Sequence, residues 1–389
     1  MKKICVITGT RAEYGILRPL MQRIKNNEHF DLQIIATGMH LSPEFGLTYK
    51  YIEKDGFEIS EKIEILMSSD TSIGVSKSMG LSLISFSEVY QRLNPDVVVI
   101  LGDRYEAFSA MASAVVAKIP VAHIHGGELT EGAYDEFFRH AMTKMSHIHF
   151  TASEDYRKRV IQMGESPDLV FNVGAMGLEN ARTIDLLNKP ELEKKLDVTL
   201  GERYCLVVFH PETLGSGADP EFQMQQLINA LNNLNDINIV IIKGNSDTNG
   251  RTINLLIDSY MQEDNVFGFT SLAIEDYLSL LKNSDLIIGN SSSGIIEAPY
   301  FKIPTVNIGD RQGGRVQAKS IINCEPSDDK ILTAIKKAFS LEFKESLKDL
   351  RNPYGEGNTS EDILDILKEF LLNNKFNSKK KFYDIKFEM

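Results

Sequence analysis

The sequence predicts an α/β protein with two domains, each built on a parallel sheet that helices cover. Short runs of β-branched and aliphatic residues alternate with amphipathic stretches along the whole chain, which is the pattern of parallel, helix-covered sheets. The runs form two series, separated by a polar helical stretch over residues 179–200. The 389 residues also exceed the size, roughly 250 to 300 residues, at which a single core stops growing. We therefore expect two domains.

Each run is short and almost entirely apolar, as is typical of a strand that is buried on both faces of a sheet. The first series of strands is predicted at residues 4–8, 32–37, 97–101, 121–125, 148–151 and 170–173. The second series is predicted at residues 205–210, 237–242, 265–269, 286–288, 305–308 and 320–323.

The two series place the domain boundary near residues 174–185. We divide the chain into an N-terminal domain, a C-terminal domain and a final helix with a tail, at residues 1–175, 176–358 and 359–389. The amphipathic pattern at residues 360–372 is expected to pack back on the first domain. The lysine-rich tail at residues 377–381 is expected to be solvated surface.

The composition excludes several classes of function. A net charge of −12 argues against a nucleic-acid surface, which needs a clustered basic face. No stretch approaches the roughly 20 apolar residues of a membrane span, and polar residues interrupt the apolar N-terminus too early for a signal peptide. Cys5, Cys205 and Cys324 share no CxxC spacing, so neither a zinc site nor a disulfide framework is indicated. Buried thiols in a reducing cytoplasm fit this pattern best.

The loop after the first predicted strand is a candidate anion site. It reads TGTRAEYG from Thr8 to Gly15 and is expected to open a helix at about Ile16. Backbone donors at a helix N-terminus can cradle a phosphate, and Arg11 could neutralise it. The loop lacks the GxGxxG pattern, which disfavours a nicotinamide cofactor. A plain strand-to-helix turn is the alternative.

A second candidate anion site is the loop GNSSSG, which lies between a predicted strand and a helix that begins near Gly294. Its hydroxyls and exposed amides favour a diphosphate, through both hydrogen bonds and the helix dipole. The alternative is a serine that only caps the helix. Glu297, one turn further on, is placed to accept hydrogen bonds from ribose hydroxyls, or else only complements the dipole.

Polar residues also follow other strands of the second series. His210, Asn245 and Arg311 each come after a predicted strand, where side chains point to the ligand-binding edge of a parallel sheet. Arg311 can clamp a phosphate through two parallel hydrogen bonds, with Arg315 as a neighbour. No metal site is indicated.

The acid and base groups lie in the first series, after the strands at residues 97–101 and 119–124. Asp103 directly follows a Leu-Gly pair, and Asp135 lies on a helix expected to begin near residue 134. Asp135 and Arg139 are four residues apart, so they can instead simply pair. His123 and His125 share one face of their strand, and His123 can be a core histidine.

Assembled, these residues make the chain resemble the hydrolysing UDP-N-acetylglucosamine 2-epimerases. Within that family, it most closely resembles the bacterial sialic-acid-pathway type and is also similar to the legionaminic-acid-pathway branch. The resemblance runs through nearly the whole chain and is carried by ITGTRAEYG, TGMHLSPEFGLTY, LGDRYE, HIHGGE, YDEFFRH, TKMSH, FHPET, IGNSSSGIIE and NIGDRQGGR.

The resemblance implies two Rossmann-like, doubly wound domains that face a cleft, as in GT-B glycosyltransferases. Asp103 and Asp135 would be catalytic acids. Relatives that read HIEGGE carry a functional glutamate where this chain has His125, so that role falls to His125 or, next in preference, to Glu128. The substrate-binding residues implied by the resemblance are Arg11, Glu13, Arg104, His210, Asn245, Ser291, Ser292, Glu297 and Arg311.

The activity implied is conversion of UDP-N-acetylglucosamine and water to N-acetylmannosamine and UDP, for sialic acid synthesis. Elimination of UDP would give a glycal, which water then hydrates. The alternatives are UDP-N,N'-diacetylbacillosamine as substrate in legionaminic acid synthesis, a GT-B glycosyltransferase and a non-catalytic UDP-sugar sensor. The expected partner is the UDP-sugar, with no cofactor, nucleic acid or membrane, and the family suggests a homo-oligomer, a dimer or tetramer.

Overall fold

The computed structural model describes residues 1–67, 71–130, 135–210, 219–234, 236–243, 250–270, 272–373, 375–376 and 379–386. The chain divides into two compact units. Unit 1 comprises Met1–Glu128, Tyr134–Glu179 and Gly357–Met389, and unit 2 comprises Leu129–Ala133 and Asn180–Glu356. No helix among the described residues is long and apolar enough to cross a bilayer.

Unit 1 is built on a parallel sheet of seven strands. In chain order these are β1 (Lys2–Thr8), β2 (Phe30–Thr37), β3 (Glu61–Ile63), β4 (Val97–Leu101), β5 (Val121–Ile124), β6 (Ile148–Thr151) and β7 (Val170–Asn172). Their spatial order is β3-β2-β1-β4-β5-β6-β7. The strand order therefore reverses between β1 and β4, the topological switch point at which doubly wound sheets bind ligands.

Helices lie on both faces of this sheet. From the N-terminus to Thr183, the described helices are α1 (Arg11–Lys25), α2 (Tyr49–Lys54), α3 (Ser72–Leu93), α4 (Tyr105–Val116), α5 (Asp135–Met145), α6 (Glu154–Gln162) and α7 (Gly177–Thr183). Short 3-10 helices span Gly38–Leu41, Pro43–Phe45 and Pro167–Leu169.

Alternation along β4 shows why this strand is apolar throughout. Val97 and Val99 pack in one core layer with residues of α1, such as Leu17. Val98 packs on the opposite face of the sheet with residues of α3 and α4, such as Phe86. Because successive side chains of a strand point to opposite faces, a sheet covered on both sides needs apolar residues at every position.

Unit 2 repeats this plan with six parallel strands. They are β8 (Tyr204–Val208), β9 (Asn238–Ile242), β10 (Val266–Phe269), β11 (Leu286–Gly289), β12 (Thr305–Ile308) and β13 (Ile321–Cys324). Their order is β10-β9-β8-β11-β12-β13, so the switch point lies between β8 and β11. The helices of this unit are α8 (Lys189–Leu196), α9 (Pro220–Leu231), α10 (Gly250–Tyr260), α11 (Ile274–Asn283), α12 (Ser292–Ile296), α13 (Asp328–Phe339) and α14 (Leu341–Ser346).

The last helix, α15 (Thr359–Leu372), belongs to unit 1 and packs against α1. Its first residues are held by buried hydrogen bonds. Thr359 Oγ1 donates to the carbonyl oxygen of Val173 at 3.0 Å. The Ser360 amide and hydroxyl donate to the Glu179 carboxylate at 2.8 Å and 2.6 Å.

The α/β fold with two parallel sheets is confirmed, and all twelve predicted strands occur within two residues of their predicted ends. The sequence missed β3, because its three residues, Glu-Lys-Ile, contain no apolar run. The polar helical stretch predicted over residues 179–200 is two helices and not one: α7 ends at Thr183, and α8 starts anew where Asn188 forms a capping box with Glu191.

Two further expectations need correction. Helix α1 begins at Arg11 and not near residue 16, because the Thr10 side chain caps it by accepting from the Glu13 amide. The tail is not wholly solvated, since Lys380 Nζ donates to the carbonyl oxygens of Lys144 and Ser146 at 2.7 Å and 2.6 Å.

Gly289 at the end of β11 provides a test of the second switch point. It has a φ of 137°, and a Cβ at this position would lie 2.0 Å from the Val208 carbonyl oxygen. We expect Gly289→Ala to destabilise the protein by more than about 2 kcal/mol, because the cost of the strained backbone and the cost of the clash with the Val208 carbonyl oxygen add together. Thermal unfolding followed by circular dichroism measures this loss.

The matched control is Gly80→Ala in the middle of α3. A Cβ there meets no atom within 4 Å, and alanine favours a helix interior by about 0.5 to 1 kcal/mol over glycine. We therefore expect Gly80→Ala to raise the melting temperature slightly. Equal effects of the two substitutions would contradict the geometry at Gly289.

Candidate active site

The switch point of unit 1 brings two loops together, one after β1 and one after β4. The two strands are paired in register, with Ile4 opposite Val97 and Val6 opposite Val99. Helices α1 and α4 leave these loops towards opposite core layers. The edge between them is the expected ligand position of a doubly wound sheet.

Side chains of the loop after β1 bind backbone amides of the same loop. The Glu13 amide donates to Thr10 Oγ1 at 3.2 Å, and the Gly9 amide donates to Glu13 Oε2 at 2.7 Å. Two amides of this candidate anion site are therefore occupied by side chains of the same loop. Arg11 lies nearby, with its guanidinium carbon 4.5 Å from the centre of the Tyr51 ring.

Arg104 lies between two carboxylates. Its Nε contacts Glu106 Oε1 at 2.6 Å and Glu13 Oε1 at 3.9 Å, and Glu106 is buried. Burial and the neighbouring Glu106 charge raise the pKa of Glu13 to about 7. Glu13 is therefore only partly ionised near neutral pH, and the contacts with Glu106 and Glu13 fix the direction of the Arg104 guanidinium.

Arg139 on α5 joins three segments of unit 1. It is buried, with 4% of its surface exposed, and it forms a short ion pair with Asp103 after β4. Its Nη1 donates to Glu136 Oε2 at 2.6 Å and to the Glu128 carbonyl oxygen at 2.9 Å. His140 Nε2 lies 2.8 Å from Glu136 Oε1. One guanidinium therefore joins Asp103, Glu136 and the backbone of Glu128, which belong to three separate motifs.

Asp135, the first residue of α5, differs electrostatically from its neighbours. Burial and the negative charge of Asp103 raise the pKa of Asp135 to about 6, against the lowering effects of Arg104 and Arg139. A carboxyl group with such a pKa can gain or lose a proton near neutral pH, which is what general acid-base catalysis needs.

His125 ends up in a constrained position at the end of β5. Its φ is 69°, a left-handed conformation that is uncommon for residues other than glycine. Its Nε2 accepts a hydrogen bond from the Met176 amide at 3.2 Å, so the ring proton of the neutral form resides on Nδ1. Nδ1 lies 3.3 Å from Glu128 Oε1. The ring therefore lies directly beside the Glu128 carboxylate.

His123 is a core histidine. It is fully buried, and its Nε2 lies 2.7 Å from the Gly102 carbonyl oxygen. Burial lowers the pKa of His123 to about 3, so the ring is neutral at physiological pH and supports the backbone just before Asp103.

The switch point of unit 2 is organised by Asn290, which directly follows β11 and is fully buried. Its side chain accepts from the His210 amide and donates to the His210 carbonyl oxygen, both at 2.8 Å. Its own carbonyl oxygen accepts from Arg311 Nη1 at 3.0 Å and Gln312 Nε2 at 2.8 Å. One amide residue thus fixes two of the predicted substrate-binding positions.

The serine loop continues from Asn290 into α12. Ser291 is the N-cap, and its side chain accepts from the Ser293 amide at 3.3 Å. Ser292 is the first helical residue, and Glu297 is the residue at the C-terminal cap. Burial raises the pKa of Glu297 to about 7, although the Ser293 hydroxyl and the Arg315 charge lower it.

Asn245 lies outside the described residues. Sequence reasoning also missed three residues that organise the two loops, namely Arg139 as the hub of the acid cluster, Glu106 beneath Arg104, and Asn290. Each stood inside a motif that the sequence singled out, YDEFFRH, LGDRYE and IGNSSSGIIE. The available signals were a charged residue on the buried face of a helix, for Glu106 and Arg139, and a polar residue directly after a buried strand, for Asn290.

The fold and these loops define a class of protein with two doubly wound parallel sheets and polar loops at both switch points. The solved UDP-GlcNAc 2-epimerase from Neisseria meningitidis bound to UDP-GlcNAc has this fold, with a TM-score of 0.80 at 19% identity over 95% of this chain and 100% of that chain. A putative UDP-N-acetylglucosamine 2-epimerase from Listeria monocytogenes matches with a TM-score of 0.80 at 18% identity, over 98% of this chain and 99% of that chain.

A family model described as UDP-N-acetylglucosamine 2-epimerase matches residues 22–368. The chain belongs to this family, which confirms the resemblance seen in its motifs. GDP/UDP-N,N'-diacetylbacillosamine 2-epimerase (hydrolyzing) of Campylobacter jejuni is 44% identical over 89% of each chain. Polysialic acid biosynthesis protein P7 of Escherichia coli is 40% identical over 99% of this chain and 98% of its own. UDP-N,N'-diacetylbacillosamine 2-epimerase (hydrolyzing) of Legionella pneumophila is 36% identical over 97% of this chain and 99% of its own.

The electrostatic coupling of Asp135 to Asp103 gives a direct test of the acid cluster. Asp103→Asn removes a negative charge that raises the pKa of Asp135, so we expect the Asp135 titration midpoint to fall below about 6. Carboxyl ¹³C NMR of the labelled protein measures the midpoint. Asp155→Asn, at an exposed position of α6, is the control and should leave it unchanged. A midpoint that stays or rises in Asp103→Asn would contradict the coupling.

Proposed function

We propose that this protein is a hydrolysing 2-epimerase of a UDP-linked 2-acetamido sugar, which releases UDP and the free sugar with inverted configuration at C-2. The observation that carries the proposal is the acid cluster of unit 1, in which Asp135, with a pKa of about 6, neighbours Asp103, which is paired with Arg139. Two carboxyl groups in different electrostatic environments suit a reaction that transfers protons on two faces of one carbon.

The chemistry requires that C-1 and C-2 react together. No carbonyl neighbours C-2, so its proton becomes acidic only as the bond from C-1 to the UDP oxygen breaks and positive charge develops at C-1. UDP departs with the electron pair of that bond, a carboxylate takes the C-2 proton, and a glycal remains. Water then adds its oxygen to C-1 and loses one proton to a carboxylate, while an acid group delivers a proton to the opposite face of C-2. The products are the manno sugar and UDP.

We assign proton transfer to Asp103 and Asp135, with Glu128 oriented by His125 as a third group. Arg11, Glu13 and Arg104 are assigned to the sugar nucleotide at the unit 1 switch point. In unit 2 we assign UDP to the loops that Asn290 organises, through His210, Ser291, Ser292, Glu297 and Arg311, together with Asn245. Hydrogen-bond donors at fixed positions stabilise charge as it develops on a leaving phosphate.

The names of the relatives suggest which sugar the UDP carries. Two relatives, at 44% and 36% identity, are named for N,N'-diacetylbacillosamine, and this makes UDP-N,N'-diacetylbacillosamine the first candidate. UDP-N-acetylglucosamine is the second candidate, because the relative at 40% identity over 99% of this chain is named for polysialic acid biosynthesis. The two sugars differ at C-4 and C-6, and C-1 and C-2 react identically in both.

The proposal is tested by ¹H NMR of the purified protein with each sugar nucleotide in separate reactions in heavy water. We expect free UDP and the manno sugar, with one deuterium at C-2, because the proton that returns to C-2 comes from solvent-exchanged groups. The substrate with the higher kcat/KM identifies the sugar. Free UDP without deuterium at C-2 would contradict the elimination route. Sugar transfer only after addition of an acceptor would indicate a glycosyltransferase, and binding without UDP release a sensor.

The roles of His125 and Glu128 are tested by paired substitutions. We expect Glu128→Gln to lower kcat by about 100-fold or more, as is typical for loss of a general acid or base. His125→Asn should lower kcat by only about tenfold, because asparagine tolerates the left-handed backbone and the histidine only orients Glu128. The initial rate of UDP release measures both. The reverse order of effects would identify His125 as the group that transfers the proton.

A further inference from the structure

The C-terminal tail packs on unit 1 beside Gly164, in the segment that follows α6. The Tyr383 amide donates to the Gly164 carbonyl oxygen at 2.8 Å. Phe382 packs on Gly164, where an added Cβ would lie 2.3 Å from its ring, and the Lys144 ammonium lies 4.7 Å from the centre of that ring. The described part of the tail is therefore docked by backbone and ring contacts that need a glycine beneath them.

Lys380 in this tail binds the C-terminal end of α5. Its Nζ lies 3.3, 2.7 and 2.6 Å from the carbonyl oxygens of Thr143, Lys144 and Ser146. The last carbonyl groups of a helix have no partner within the helix, and a positive charge there complements the helix dipole. Lys380 thus caps the helix whose first turn carries Asp135.

The same ammonium pairs with a buried carboxylate. Lys380 Nζ lies 2.7 Å from Glu165 Oε2, and Glu165 also binds Lys144 at 2.5 Å and His149 Nε2 at 3.0 Å. Glu165 is 1% exposed. Because a buried carboxylate without compensation is strongly destabilising, these partners hold one another in place.

Two structural connections link the Lys380–Glu165 cluster with Asp135 and Asp103. Along α5, an 11-residue helix that spans roughly 16 Å, the cap at one end fixes the position of Asp135 at the other. Across the sheet, His149 on β6 is the register partner of His123 on β5. His123 in turn contacts the Gly102 carbonyl oxygen beside Asp103.

We infer that Lys380 is a positioning residue for the proposed epimerisation, because it holds the C-terminal end of α5, the helix that begins with Asp135 and pairs with Asp103 through Arg139. The inference rests on the proposed function for its catalytic consequence, but its structural part stands alone. A residue more than 230 positions away in sequence from α5 thereby belongs to the scaffold of the acid cluster.

The test compares full-length Lys380→Met, Lys380→Arg and Lys381→Met, the last altering an exposed neighbour. Amide hydrogen exchange should be faster over residues 140–146 in Lys380→Met, slower again in Lys380→Arg, and unaltered in Lys381→Met. With the sugar nucleotide that the wild type converts, kcat in Lys380→Met should fall by about three- to tenfold, with KM within about twofold, because small misplacement of catalytic groups lowers kcat. Lys380→Arg should recover most of this loss.

The outcomes separate the inference from the proposed function. Unaltered exchange in α5 of Lys380→Met, or an equal fall of kcat in Lys381→Met, would overturn the inference. A fall in melting temperature with kcat unaltered would also overturn it, since that is the result of a purely structural contact. If the wild type releases UDP from neither sugar nucleotide, the proposed function fails, and hydrogen exchange still decides whether Lys380 holds α5.

Discussion

The buried guanidinium of Arg139 is the interaction on which the acid cluster depends. It contacts the side chain of Asp103 after β4, the side chain of Glu136 on its own helix and the Glu128 carbonyl oxygen after β5. An arginine presents five N–H donors in one plane, so it can serve acceptors from several segments at once. A buried charge that loses its partners costs several kcal/mol, and this penalty keeps the three segments together.

This arrangement divides the carboxyl groups into two kinds. Asp103 is paired with a cation, whereas Asp135 is affected mainly by burial and by the charge of Asp103, which raise its pKa to about 6. Neighbouring acid groups in such different environments are suited to different proton-transfer roles. The docked tail extends the same principle, because Lys380 supplies charge to the far end of α5, where the helix lacks partners of its own.

Unit 2 organises its switch point with a neutral residue. Asn290 offers both a donor and an acceptor, so it binds the backbone of His210 on both sides and leaves its own carbonyl oxygen for Arg311 and Gln312. A neutral amide fixes these groups without adding a negative charge beside the loop assigned to a diphosphate. The difference between the two hubs, one cationic and one neutral, matches the different chemistry proposed for each unit.

The sequence by itself determined the class of fold, nearly every strand and the family. Strands such as β4 are buried on both faces, and this demands uninterrupted apolar residues that are visible without any structure. A three-residue strand such as β3 leaves no such pattern, and the start of α1 depended on one capping hydrogen bond from Thr10. Local patterns thus predicted elements, and they were least reliable where one side chain decides a boundary.

Only the tertiary structure decided which polar residues act together. Motif positions brought Asp103, His125, Glu128 and Asp135 to the ends of neighbouring strands, but the pairing of Asp103 with Arg139 and the acceptor role of His125 Nε2 depend on contacts between distant segments. Lys380 shows the same limit most clearly. Its lysine-rich surroundings predict solvated surface, whereas the fold surrounds its ammonium with carbonyl oxygens and a buried carboxylate. Electrostatic partners are set by distance in space, and no local sequence pattern records that distance.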